Sequence, residues 1–253
     1  MMTTKRLFAA LVLALFAAGA MFAQQKMLPM PKIALEVGKA TKPEDVSVTL
    51  QILLLMTILS LAPALLILTT AFTRIVVVLH FLKQALGTPQ MPPPQVLVGL
   101  AMFLTFFVMS PVWNKVNNEA LQPYLNNKMS MTQAYDKGIV PLRDFMAKQT
   151  REEDLALFVK MANMEKPKTM DDVPTYVLIP AFAISELRIG FQIGLLLFVP
   201  FVIIDLVVAS ILMSMGMMML PPTMISLPFK ILLFVLVDGW HLIVGSVISS
   251  FHY

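Results

Sequence analysis

The sequence predicts an all-α integral membrane protein made of hydrophobic helical hairpins with a small polar insert between them. Three observations carry this. Of 253 residues, 58% are hydrophobic and 13% are charged, against roughly 25% charged in an ordinary soluble domain. Charge-free stretches run from Val46 to Thr73 and from Val96 to Val112, and about 20 such residues suffice for one crossing of the hydrocarbon. No segment alternates polar and apolar residues as a half-buried strand does.

Residues 1–23 read as a signal peptide. Lys5 and Arg6 precede the apolar Leu7 to Ala17, and Ala18-Gly19-Ala20 and Ala23 offer small-residue cleavage points. Residues 24–45 have no periodicity and read as a flexible lead. Residues 46–112 form the first hydrophobic helical hairpin. In it Pro63 marks a kink, and the apolar pattern runs on from the first stretch through Arg74, His80 and Lys83 to Gly87. A helix that long must tilt, bend or leave the bilayer. Thr88 to Pro94 breaks it, and the second helix ends at Ser110-Pro111. The connection carries basic residues and no acid, which assigns it to the cytoplasmic side.

Residues 113–172 hold nine basic and nine acidic residues and read as a solvated, extracytoplasmic (periplasmic) insert of short helices. Ser130-Met131-Thr132-Gln133 and Thr150-Arg151-Glu152-Glu153 both have the spacing of a capping box. After the second, Leu155, Phe158, Val159 and Ala162 recur at helical spacing.

Residues 173–253 are hydrophobic, with charge only at Glu186, Arg188, Asp205, Lys230 and Asp238. Gly216 and Pro221-Pro222 predict a turn within a methionine-rich run, so 189–214 and 223–250 become the arms of a hairpin. Asp205 and Lys230 are equally far in sequence from position 217.5. An antiparallel hairpin brings them to one depth, where an intramembrane charge needs a partner. Glu186 and Arg188 are two apart and point to different partners elsewhere. Gly190 and Gly194 form a small-xxx-small face for close helix contact, within the chain or with another subunit.

Three readings fit the methionines. They fill gaps in packing; Met213, Met215 and Met217 offer thioethers to Cu(I); or they form an adaptable gasket around a passage. The net charge of +4 is that of basic orienting loops, and no basic run is interleaved with aromatics, so no nucleic-acid interface is indicated. The absence of cysteine excludes disulfides and thiol chemistry. There is no HExxH, GxSxG or P-loop, and His80, His241 and His252 are isolated. No enzyme, metal centre or cofactor is expected.

The segments Pro180–Gly194 (PAFAISELRIGFQIG) and Asp205–Pro222 (DLVVASILMSMGMMMLPP) resemble signatures of the FliP family of flagellar biosynthesis proteins. Leu227–Ser246, AFTRIVVVL from Ala71 and LTFFVMSPVWNK from Leu104 are similar to the same family, and the match covers the chain from about residue 47. The resemblance implies a pore-forming subunit of the type III export gate at the base of the flagellum, in the bacterial inner membrane. It implies a helical hetero-oligomer: a homo-oligomer, a pentamer in the family, with FliQ and FliR, joined by FlhB and FlhA, passing unfolded flagellar proteins. It places the gasket at Met217, Met218 and Met219. The alternatives are the equivalent subunit of a virulence secretion system, towards which the Phe72–Arg74 and Gly87–Pro89 elements do not lean, and a methionine-based metal transporter.

Overall fold

The computed structural model describes residues 43–253 apart from 89, 218 and 253, with side-chain environments from residue 50. The expected signal peptide, most of the expected lead and Met218 fall outside these residues. The chain divides into two compact units, Met1–Leu54 and Leu55–Tyr253. In the first, the described residues begin helix α1 (Pro43–Thr69). Residues 43–45 of the expected lead are thus already helical: Pro43 suits a first helical position, and Glu44 and Asp45 suit the positive end of the dipole.

The second unit is all-α among its described residues. It continues with α2 (Phe72–Leu86), α3 (Pro94–Val116), a π-helical turn (Asn117–Leu121), α4 (Gln122–Leu125), α5 (Met131–Gln149), α6 (Glu152–Met161), a short 3₁₀ turn (Met170–Asp172), α7 (Thr175–Ser214), α8 (Pro222–Leu236) and α9 (Gly239–Ser249). Among the described residues, three apolar helical runs are long enough to cross a membrane: Leu50–Thr69, Pro94–Leu125 and Thr175–Ser214. Pro222–Leu236 and Gly239–Ser249 make a fourth if their 66° bend is one broken span. The protein is an all-α membrane protein.

Helix α2 lies at the centre. Ile75, Val78, Leu79, Leu82, Ala85 and Leu86 recur at one-face spacing and are all buried. Its main neighbours are α7 and α3. From α7, Val177, Leu178, Ala181 and Phe182 enter the same core, and from α3 Ala101, Val108 and Met109 do. The insert contributes Phe145 and Met146 of α5 and Leu155 and Val159 of α6. Phe145 meets Phe182 edge-on, with ring centroids 5.9 Å apart, and stacks on Phe251 at 6.3 Å. The insert and the C-terminus therefore close one end of the core.

One local expectation is made specific and three are corrected. The long first apolar run, expected to tilt, bend or leave the bilayer, bends: its helix breaks at Thr70–Ala71, with no glycine or proline there. Thr69 and Thr70 turn their hydroxyls back to the carbonyls of Leu65 and Leu66, and Thr73 bonds the carbonyl of Ile67. Such hydroxyls compete with the helical ladder and bend it. The second helix does not end at Ser110-Pro111 but passes through it. Val108, Met109 and Val112 bury on both sides of Pro111, and that packing offsets the bond the proline removes.

The capping box at Ser130 is formed, with Ser130 Oγ accepting from Gln133 N–H and Gln133 Oε1 accepting from Ser130 N–H. The one expected at Thr150 is not. Arg151 occupies the N-cap of α6, and the Thr150 hydroxyl donates to the Met146 carbonyl of the preceding helix. Lastly, the second arm of the C-terminal hairpin is not one helix over 223–250. It breaks at Val237–Asp238, where Asp238 has φ 49°. A Cβ on Gly239 would lie 2.3 Å from the Phe234 ring, so only glycine allows that corner.

Candidate functional site: a buried ion pair, a polar layer and an exposed methionine turn

Glu186, Arg188 and Asp205 sit at successive heights along α7. Nearest its start, Glu186 is fully buried and meets Arg74 of α2, also fully buried. The pair is bidentate, with Arg74 Nε donating to Glu186 Oε2 at 3.0 Å and Nη2 to Oε1. The remaining guanidinium protons are also used. Nη1 donates to the Ser250 carbonyl at 2.7 Å and its hydroxyl at 3.0 Å, and Nη2 to Gln149 Oε1 at 3.3 Å. The guanidinium carbon lies 4.0 Å above the Phe251 ring. Gln149 in turn donates to the His252 carbonyl. One side chain thus ties together α2, α5, α7 and the segment after α9.

Arg188 points elsewhere. Its Nη1 donates to Glu153 Oε2 at 3.3 Å, and its Nη2 lies 3.6 Å from Asp154 Oδ1, both on α6. Asp154 is buried and accepts from the Ser185 hydroxyl, which itself accepts the Arg151 N–H. These contacts hold the first turns of α7 against the insert.

Next along α7, Gly190 and Gly194 face α2 of the same chain. A Cβ at Gly190 would lie 3.1 Å from Val77 Cγ1, and one at Gly194 would lie 2.5 Å from the Phe81 ring. Small residues let the two backbones approach, as in membrane helix pairs. Phe81 also meets Phe191 edge-on, at 5.1 Å between centroids.

Further on, Asp205 and Lys230 come together across the hairpin. Lys230 Nζ donates to Asp205 Oδ2 at 2.6 Å and to the Ala85 carbonyl at 3.3 Å. The Ser226 hydroxyl donates to Asp205 Oδ1 at 2.5 Å. Lys230 is therefore the partner of a carboxylate on α7 and also a cap on the last turn of α2, where the helix dipole favours a cation. Three helices are pinned at this level.

Among its described residues, the turn beyond has no such ties. Gly216 adopts φ 75°, and the Met217 N–H bonds the Leu212 carbonyl while the Gly216 N–H bonds that of Met213. That crossed pair is a Schellman motif, with glycine at its left-handed position. Pro221 and Pro222 then start α8, Pro222 in its first turn. Met217 is 38% exposed and Met219 98% exposed. Neither fills a gap in the core of this chain.

Sequence reasoning missed Arg74, Gln149 and Ser226 as members of these groups. For Ser226 there was a signal, since it lies one helical turn before Lys230 on the same face. For Arg74 the only signal was a lone cation in an apolar run.

The chain matches the FliP family over residues 55–247. It is 58% identical over 217 residues to the flagellar biosynthetic protein FliP of Bacillus subtilis, covering 86% of this chain and 98% of the relative. To the flagellar biosynthetic protein FliP of Aquifex aeolicus it is 47% identical over 244 residues, covering 96% and 98%. The protein of the same name from Pectobacterium carotovorum is 55% identical, covering 81% and 80%. The long apolar helices, the hairpin with its methionine turn and the matched span together make this chain a member of the FliP family.

Proposed function

We propose that this protein is a pore-forming structural subunit of the flagellar protein export gate, passing unfolded flagellar proteins across the inner membrane without catalysis. The observation that carries the reading is the methionine turn. If these side chains served packing, the fold would bury them, yet Met219 is almost wholly exposed at the tip of a hairpin pinned a few turns below. Long, unbranched and polarizable side chains at such a tip can close a ring against copies of themselves and still yield to varied cargo. Met217, Met218 and Met219 form this gasket.

The surrounding surface supports an assembled role. Apolar side chains are exposed along both faces of α1 and on α7 at Leu195, Leu196, Ile203 and Leu206. Exposure on that scale suits lipid or neighbouring subunits. The partners are further copies of this chain, five in all, with FliQ and FliR, and FlhB and FlhA attached. The insert faces the periplasm within the flagellar basal body. The flagellar names of the relatives favour this system over a virulence counterpart.

The test replaces Met217, Met218 and Met219 together with alanine in the assembled gate, and follows ion leakage across the membrane and secretion of flagellar proteins. Leakage rises if the three side chains seal the passage. Leakage and secretion both unchanged would remove the gasket from the proposal.

A further inference from the structure

Two cavities lie end to end along α3 and share Val98. The first, of about 420 Å³, opens between the last turns of α2 and the start of α3, with His80, Lys83 and Gln84 on one wall and Pro94 on the other. The second, of about 500 Å³, continues between the end of α1 and α3, past Phe72, Met102 and Phe106 to Trp113. One end of the combined groove is basic and polar, and the other is apolar.

The basic end has three features of an anion site. Lys83 and His80 are three residues apart and so share a face of α2. No acidic residue occurs between Phe72 and Pro94, and the other cation of α2, Arg74, is consumed by Glu186. The N-terminus of α3 opens at the same mouth, so the positive end of its dipole points there. His80 Nε2 and Gln84 Nε2 lie 3.0 Å apart, which holds the imidazole at the rim.

The apolar end has the length of an acyl chain's path. From Val98 to Trp113, the ends of its lining on α3, the helix rises about 22 Å, room for the roughly 15 Å of hydrocarbon in one leaflet. The basic, acid-free connection assigns the mouth to the cytoplasmic side, whose leaflet carries anionic lipid. A free phosphate would leave the apolar groove unused, and an apolar helix laid along it would face Lys83 at its end.

We propose that this groove holds one anionic phospholipid, its phosphodiester at Lys83 and His80 and one acyl chain along Val98, Met102 and Phe106. The site is independent of whether the methionine turn seals a passage.

Native mass spectrometry of the full-length protein, extracted with whatever subunits accompany it, tests the assignment. The probes are dioleoyl phosphatidylglycerol, dioleoyl phosphatidylcholine and sn-glycerol 3-phosphate. The expected result is retention of phosphatidylglycerol over phosphatidylcholine by about fivefold or more, the increment of one lysine at a membrane surface. Lys83→Gln with His80→Gln abolishes the preference, Lys83→Arg retains it, and Met102→Trp lowers retention of both lipids by filling the groove. Equal retention of the two lipids, or a preference that survives the double glutamine variant, overturns the proposal. So does glycerol phosphate displacing phosphatidylglycerol at equal concentration. A disulfide from Val98→Cys to a second protein in native membranes does the same, because protein then occupies the groove. Thermal melting of each variant beside the wild type separates a lost site from a lost fold.

Discussion

The Arg74 cluster and the methionine turn lie towards opposite ends of α7, and they are built on opposite principles. At the first, every donor of a buried guanidinium has an acceptor, and among the described residues no buried polar side-chain atom lacks a partner. At the second, Met217 and Met219 are exposed, and the turn is shaped by backbone bonds and one left-handed glycine. A charge network in a dry core admits one arrangement, because an unpaired member is costly. A loop of flexible thioethers admits many. The fold thus spends its directional bonding where geometry must be constant, and leaves it out where contacts come from beyond the chain.

Mutations should separate the two regions by size of effect. Arg74→Ala leaves Glu186 buried and uncompensated, and should cost about 3–5 kcal/mol of stability in detergent unfolding. Arg74→Lys should rescue little, since an ammonium cannot reproduce the bidentate fork or bridge to Ser250 and Gln149. An unfolding curve unchanged in Arg74→Ala would break the contrast at once.

The polar layer is intermediate. A double-mutant cycle on Asp205→Asn and Lys230→Met should give a coupling of about 1–3 kcal/mol, the range for residues in direct contact. Additive effects would mean that the 2.6 Å contact contributes nothing. At the turn itself, Gly216→Ala should cost about 1 kcal/mol from the left-handed backbone, and Gly216→Asn less. Space is not the issue there, because a Cβ at Gly216 meets nothing within 4 Å. Smallest of all, alanine at Met217, Met218 and Met219 should change the unfolding free energy of the chain by no more than about 0.5 kcal/mol. A large loss of stability would mean that the methionines serve packing after all.

What could be read from the residues divides along the same line. The Asp205–Lys230 contact follows from a turn position and a count outward, because an antiparallel hairpin turns equal spacing into equal depth. The position of the turn follows from Gly216 and the two prolines, but its exposure does not, since packing fitted the methionines equally well in sequence. The Arg74–Glu186 pair spans 112 positions, and nothing local marks which carboxylate a lone arginine will meet. The break at Thr70 was hidden for a different reason. Threonine is common in apolar helices, and whether its hydroxyl bends one depends on which carbonyl it finds. At Thr150 the spacing was right for a cap, but the hydroxyl found the carbonyl behind it before the amides ahead.

Helix α7 runs without interruption for 40 residues. Its first turns are clamped by Glu186, Ser185 and Arg188, and the methionines follow its last. The 28 steps from Glu186 to Ser214 are about 42 Å of helix, with Pro200 removing a ladder bond on the way and Asp205 tied to Lys230 before the last turns. The ten residues from Asp205 to Ser214, about 14 Å of helix, reach past that last charged tie. The methionine turn therefore stands about 14 Å beyond the nearest charged clamp, and its placement rests on the apolar packing of the two arms, with Val208 and Leu212 buried on the last turns of α7.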